Sequence, residues 1–183
     1  MRKYLVMTMV FVVLAVFCGC TTVYKAAVDE RNVRTIASDD KIVVTVVKRF
    51  HDDEAIKVLD ISADCYSGHV YLVGQYETQA QKRRAVNIAR GVPGVKSVTT
   101  YLLPKKKSDP CGTSDNVAII AKVKASLIKD KNIWSTNVKV KSVRCNVVLL
   151  GIVGTKGEIS RAISHAKGVE GVRNVKSFLK STK

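Results

Sequence analysis

Histidine, tryptophan and acidic side chains are scarce in this chain of 183 residues, which has three histidines, one tryptophan and 15 Asp plus Glu against 31 Lys plus Arg. None of the histidines pairs with a cysteine or a second histidine at a zinc spacing, so no metal-ligand motif is present. The five cysteines form no CxxC pair, which leaves a dithiol redox centre without support. Neither a nucleophile elbow nor a phosphate-binding glycine loop occurs. No catalytic residue, metal or cofactor is therefore assigned, and the chain reads as a non-enzyme. The longest apolar run, Tyr4 to Phe17 broken only by Thr8, is shorter than the ~20 residues that span a bilayer.

That run follows Arg2 and Lys3 and ends at Phe17-Cys18-Gly19-Cys20, the order of a signal peptide. A small residue before a cysteine at this place resembles the lipobox of bacterial lipoprotein precursors. The resemblance implies a signal peptide over 1–19 and a lipid on Cys20, and Thr21 in place of Asp implies the outer membrane of a Gram-negative cell, facing the periplasm. Residues 20–40, polar and without a sustained period, read as the lipidated cysteine and a flexible tether. Export changes the meaning of a net charge of +16. In a cytosolic protein it would point to nucleic acid, which an exported chain scarcely meets. Anionic lipid, lipopolysaccharide and peptidoglycan are the anions available there. Cys65, Cys111 and Cys145 remain in the mature chain, enough for one bridge and one spare thiol in an oxidising compartment, with the pairing left open.

The sequence repeats itself. An ungapped shift of 77 residues aligns Val43–Leu102 with Ile120–Leu179. It lays Val70-Tyr71-Leu72-Val73-Gly74 on Val147-Val148-Leu149-Leu150-Gly151, and Gly91-Val92-Pro93-Gly94-Val95 on Gly168-Val169-Glu170-Gly171-Val172. A register kept this long marks a tandem duplication. Each copy reads as helix, strand, strand, helix, strand. Val43, Val46, Val47 and Phe50, and in the second copy Ile120, Val123 and Leu127, recur at helical spacing. The first hairpin turns at Ser67-Gly68, and the second is placed at Cys145-Asn146. Thr78-x-x-Gln81 and Thr155-x-x-Glu158 have the form of capping boxes, and Gly91 and Gly168 read as the C-caps that stop those helices. The fold class predicted is α+β: two tandem αββαβ domains, 41–104 and 115–183, each with two helices on a three-stranded mixed sheet. Residues 105–114 form a lysine-rich linker.

These features resemble the BON domain, through V-x-L-x-G, the Thr-capped helix and Gly-Val-x-Gly-Val before the last strand. A lipobox followed by two such domains is similar to the DolP family of outer-membrane lipoproteins, and Asp29-x-Arg31-Asn32-Val33 with Asp39-Asp40 looks like that family's leader. The resemblance implies an envelope-integrity factor whose second domain recognises anionic phospholipid.

Charge counted along the chain agrees in sign. Lys41–Pro104 holds nine basic and six acidic residues, a net of +3, whereas Asp115–Lys183 holds fourteen and four, a net of +10. Lys122, Lys124, Lys129 and Lys131 stud the first helix of copy two and its exit, Lys139 and Lys141 share one face of a strand, and Lys156, Arg161, Lys167 and Arg173 follow. Trp134 stands where copy one has Lys57, a position expected to be exposed. Lys129, Lys131, Trp134, Lys156, Arg161, Lys167 and Arg173 are the candidate phospholipid-binding residues. The alternative is a periplasmic adaptor, with envelope proteins or an acidic polysaccharide as partner. His51-Asp52-Asp53-Glu54 carries ligand-type side chains, but it fills a turn and its equivalent, Ile128-Lys129-Asp130-Lys131, has no ligand character. His69 is placed at a hairpin turn and His165 on an exposed helix face beside Arg161.

Overall fold

The structure, a computed structural model, describes residues 31–56 and 60–183. The expected signal peptide, Cys20 and tether residues 21–30 lie outside the described residues. Copy one comprises α1 (Val33–His51), β1 (Ile61–Tyr66), β2 (His69–Tyr76), α2 (Gln79–Arg90) and β3 (Ser97–Pro104). Copy two repeats it with α3 (Thr113–Lys129), β4 (Lys139–Val143), β5 (Asn146–Val153), α4 (Lys156–Lys167) and β6 (Asn174–Ser181), a 3₁₀ turn at Ser135–Asn137 preceding β4. Each sheet has three strands in chain order, the first pair antiparallel and the second parallel. This is the α+β architecture that the repeat predicts.

Helix α1 begins well inside the stretch read as tether. Asn32 accepts a hydrogen bond from the Thr35 amide at 2.8 Å, an N-cap that starts the helix at Val33. Asp39, three turns before the apolar stripe ends, is buried. The stripe itself is Ile42, Val46 and Phe50, matched by Ile119, Val123 and Leu127 in α3. Of the predicted stripe, Val43 and Ile120 are half-buried against the cores and Val47 is exposed, while Ile42 and Ile119 complete it. Ala85 and Ala89 of α2, and Ala162 and Ala166 of α4, press against the sheets. Their small side chains let the helices approach strands filled by Val70 and Leu72, or Val147 and Leu149. Each fully buried aliphatic side chain contributes ~1.5–3 kcal/mol.

Two glycine placements fix the strands. A Cβ on Gly74 would lie 1.9 Å from the Asp60 carbonyl oxygen, and one on Gly151 2.0 Å from that of Asn137. The first glycine of each Gly-Val-x-Gly motif ends its helix at φ −78° or −75°, not left-handed; positive φ falls on the second, Gly94 and Gly171. The second hairpin also turns one residue earlier than expected, with Arg144 and Cys145 at φ 51° and 59° and Asn146 already in β5. Asn146 bonds through its side chain to the carbonyls of Val143 and Arg144, stabilising the turn from its far side.

The sheets pack on each other through the faces that carry no helix. Tyr71 and Val73 of β2 meet Val143, Val148 and Leu150, with Tyr66, Tyr101, Leu103 and Phe178 around them. The helices of each copy therefore lie on the outer face of its sheet. Among the described residues, no helix is long and apolar enough to cross a membrane.

Candidate lipid-binding surface

One end of copy two gathers most of the candidate residues. Helix α3 ends at Lys129, the chain turns through Asp130–Trp134, and α4 starts beside it at Lys156. The Trp134 amide donates to Glu158 Oε2 at 3.2 Å. Glu158 Oε1 accepts from the Thr155 amide at 3.0 Å while Thr155 Oγ1 accepts from the Glu158 amide, so the capping box also anchors the tryptophan loop. In copy one the corresponding Gln81 reaches the Glu77 amide instead.

Asp130 holds the same loop from the other side. Its Oδ1 accepts from the Asn132 amide and its Oδ2 from His165 Nε2, both at 2.9 Å, while Arg161 lies 3.8 Å away. Chiefly the His165 hydrogen bond, then that of Asn132, holds this carboxyl below its ordinary value. His165 Nδ1 meets Ser126 Oγ at 2.9 Å. The histidine is half-buried and staples α4 to α3, rather than sitting on an exposed face. Arg161–Asp130 repeats Arg84–Asp53 of copy one, which closes at 2.6 Å.

What projects from this end is cationic and apolar. Lys129, Lys131, Lys156 and Arg161 are exposed, Trp134 is 59% exposed and Ile128 70%. Sequence reasoning missed Ile128. Its equivalent is His51, and a polar residue in one copy was the available sign that the position faces solvent. Ile128 also lines a groove of about 470 Å³ between α1 and α3, with Ile36, Val43 and Leu127.

Three other groups lie elsewhere. Lys167 ends α4, about 16 Å along the helix from Lys156. Arg173 sits at the opposite end of the domain, where its backbone amide bonds to Cys145 and its guanidinium to Asp109 at 2.9 Å. Lys139, exposed, and Lys141, half-buried, pair with Asp64 at the seam between the sheets.

At the Arg173 end, Cys111 is bridged to Cys145, tying the linker to the β4–β5 turn. Asp109 accepts from the Cys111 amide, Arg144 and Arg173, and these bonds hold its carboxyl down at about 2. Cys65 is free and buried; burial, then the neighbouring Asp39, pushes its thiol up to about 12. Asp39 is itself pushed up by burial, but bonds from Gly68, Cys65, Ser67 and Arg31 outweigh this and hold it low. In copy two Asn116 takes the same place, accepting from Cys145 N and Ser142 Oγ. Of the other titratable motifs, Asp53 is bound to Arg84, and His69 lies in β2 between Ser97 and Thr99.

Two αββαβ units in tandem, each with a Thr-capped second helix and a glycine kept side-chain-free by a carbonyl, define a double BON-domain protein. The chain belongs to the BON family, whose domain model matches residues 38–103 and 115–182. It is 37% identical over 146 residues to the osmotically-inducible protein Y of Escherichia coli K12, covering 78% of this chain and 73% of that one. It is 31% identical over 164 residues to the outer membrane lipoprotein DolP of Haemophilus influenzae, covering 89% and 84%. The solved C-terminal domain of CdsD, a type III secretion protein of Chlamydia trachomatis, is similar with a TM-score of 0.33 at 13% identity, covering 79% of this chain and 67% of that one.

Proposed function

We propose that the chain is a non-enzymatic outer-membrane lipoprotein, held by lipid on Cys20 and facing the periplasm, whose second BON domain binds anionic phospholipid and supports envelope integrity. The anchoring half of this reading is supported by the lipobox-like Phe17-Cys18-Gly19-Cys20, by the relative named an outer membrane lipoprotein, and by the Cys111–Cys145 bridge, which suits an oxidising compartment.

The observation that carries the lipid-binding half is a change of character between equivalent positions. Asp52, Glu54, Lys57 and Gln79 of copy one correspond to Lys129, Lys131, Trp134 and Lys156. Two carboxylates and an amide have given way to three lysines, and the remaining position to an exposed tryptophan. Each cation near an anionic surface contributes ~1 kcal/mol, so the three lysines supply ~3 kcal/mol, about a hundredfold in affinity at low salt. Trp134 adds a ring suited to the headgroup region, and Ile128 adds exposed aliphatic area. A lipid on Cys20 attaches the protein by itself, at ~0.8 kcal/mol per buried methylene, so the surface selects the lipid rather than providing the anchor. Lys167 and Arg173 lie outside this surface.

The test is a variant with Lys129, Lys131, Lys156 and Arg161 all changed to Glu, in the soluble chain from Thr21. Binding to anionic vesicles falls at least tenfold while the circular dichroism spectrum stays as in the parent. Undiminished binding by a folded variant would overturn the assignment and favour the adaptor reading.

A further inference from the structure

The seam between the sheets is built mostly from corresponding residues. Under the 77-residue shift Tyr66, Tyr71, Val73 and Tyr101 fall on Val143, Val148, Leu150 and Phe178, and all eight belong to the one inter-sheet cluster. A contact between corresponding patches is isologous, the arrangement of a two-fold dimer, here closed within one chain. Such a seam carries an ambiguity. Apolar patches that match each other also match their like on a second chain, so packing alone does not say which domain pairs with which.

Polar and charged positions beside these eight remove the equivalence, and Leu103 of the same cluster falls on Lys180. Asp64 corresponds to Lys141, and the two face each other, Lys141 Nζ lying 3.3 Å from Asp64 Oδ2. Lys139, which corresponds to Ser62, forms an ion pair with Asp64 Oδ1. Asp64 is 4% exposed and its Oδ2 makes no hydrogen bond, so the lysines of the other domain are what compensates a carboxylate held out of water.

We propose that Asp64, Lys139 and Lys141 are a pairing lock that admits domain two to the sheet of domain one and rejects like pairs. Two copies of domain one would bring two Asp64 carboxylates together beside nothing more than Ser62. Two copies of domain two would bring four lysines together. A charge buried without its partner is strongly destabilising, and repulsive elements of this kind are how one partner is chosen over a similar one. The lock makes the chain fold back on itself, and it does not depend on what the outer helical faces bind.

The full chain in detergent tests this with an exchange across the pseudo-dyad. D64K places three lysines in the seam: its melting temperature drops, and its radius of gyration, corrected for detergent, grows by on the order of 5 Å as the domains part. S62K/D64K/K139S/K141D rebuilds the trio with the domains' roles reversed and restores both values. D64N, gentler on folding, opens the seam with helical content unchanged. The acid-only chain K139S/K141D and the base-only chain S62K/D64K open separately and pair one to one when mixed. The lock is overturned if D64K and D64N stay closed with the parent's melting temperature, or if the exchange variant remains as open as D64K.

Discussion

Replacing Cys111 and Cys145 together by serine removes the bridge that joins the linker to the β4–β5 turn, across a sequence separation of 34 residues. A loop of that length restricts the unfolded chain by about 4 kcal/mol at 25 °C. The effect acts on the unfolded state, so the native clamps around the bridge, Asp109 on Arg144 and Arg173, do not diminish it. A domain of some 70 residues has about 4–10 kcal/mol of stability in all, so the bridge accounts for about two fifths of it or more. The assay is urea unfolding followed by tryptophan emission, since Trp134 is the one tryptophan of the chain and reports on domain two. With a slope of about 1–1.5 kcal/mol per molar urea for a unit this small, the midpoint falls by about 3 M. Dithiothreitol on the parent gives the same fall. Cys65 gives no reaction with thiol reagents before unfolding, because it is buried and its thiol is pushed up to about 12. A midpoint shift under about 0.5 M would refute the reasoning and show that the bridge does not restrain this domain.

Other perturbations have equally definite outcomes. Gly151→Ala forces a methyl to 2.0 Å from the Asn137 carbonyl, and chemical denaturation should show a loss of about 2–4 kcal/mol. Asp39→Ala strips acceptors from the Ser67 and Gly68 amides, at 2.7 and 2.8 Å; calorimetry should register a loss of about 2–4 kcal/mol, centred on domain one. Asp109 has its folded value lowered from 3.8 to about 2 by the Cys111 amide and the two arginines. Its contribution is therefore present above pH 3.8 and lost as pH falls towards 2. Asp39 and Asp130 shift the same way, so Asp109→Asn should lessen the acid loss of stability between pH 4 and 2 without abolishing it. Trp134, more than half exposed, should shift its emission to the blue on binding anionic vesicles and stay unshifted with zwitterionic ones.

Much of the fold was legible because the sequence states it twice. The repeat register, the Thr-capped helices and the apolar stripes are local signals, and duplication corrects chance in each. The misread stretches are those where one polar group decides. Val33–Asp40 looked like tether because its helix is started by Asn32 and held by a buried carboxylate, Asp39, which no hydrophobic pattern reveals. The second hairpin was displaced by one residue because Asn146 is a common turn residue, yet here it supports the turn from β5. The seam has a sign in the sequence. Tyr71, Leu72 and Val73 are apolar on both faces of β2, as a strand covered on both sides requires. The same pattern leaves Asp64 as the partner of Lys139 and Lys141 unseen. For the candidate surface, the cationic drift of copy two was plain in the sequence. Which cations share one end depends on how α3 and α4 pack. The choice of Cys111 with Cys145 likewise depends on where the linker returns.

The proposed recognition of anionic lipid by the second BON domain is tested most directly by vesicle flotation of the soluble chain from Thr21. Flotation with anionic but not zwitterionic vesicles, weakening steeply as salt shortens the reach of the lysines, is the result expected. No flotation with either composition at low salt would contradict it, and would leave the proposed lipid on Cys20 as the contact with the membrane to be tested next.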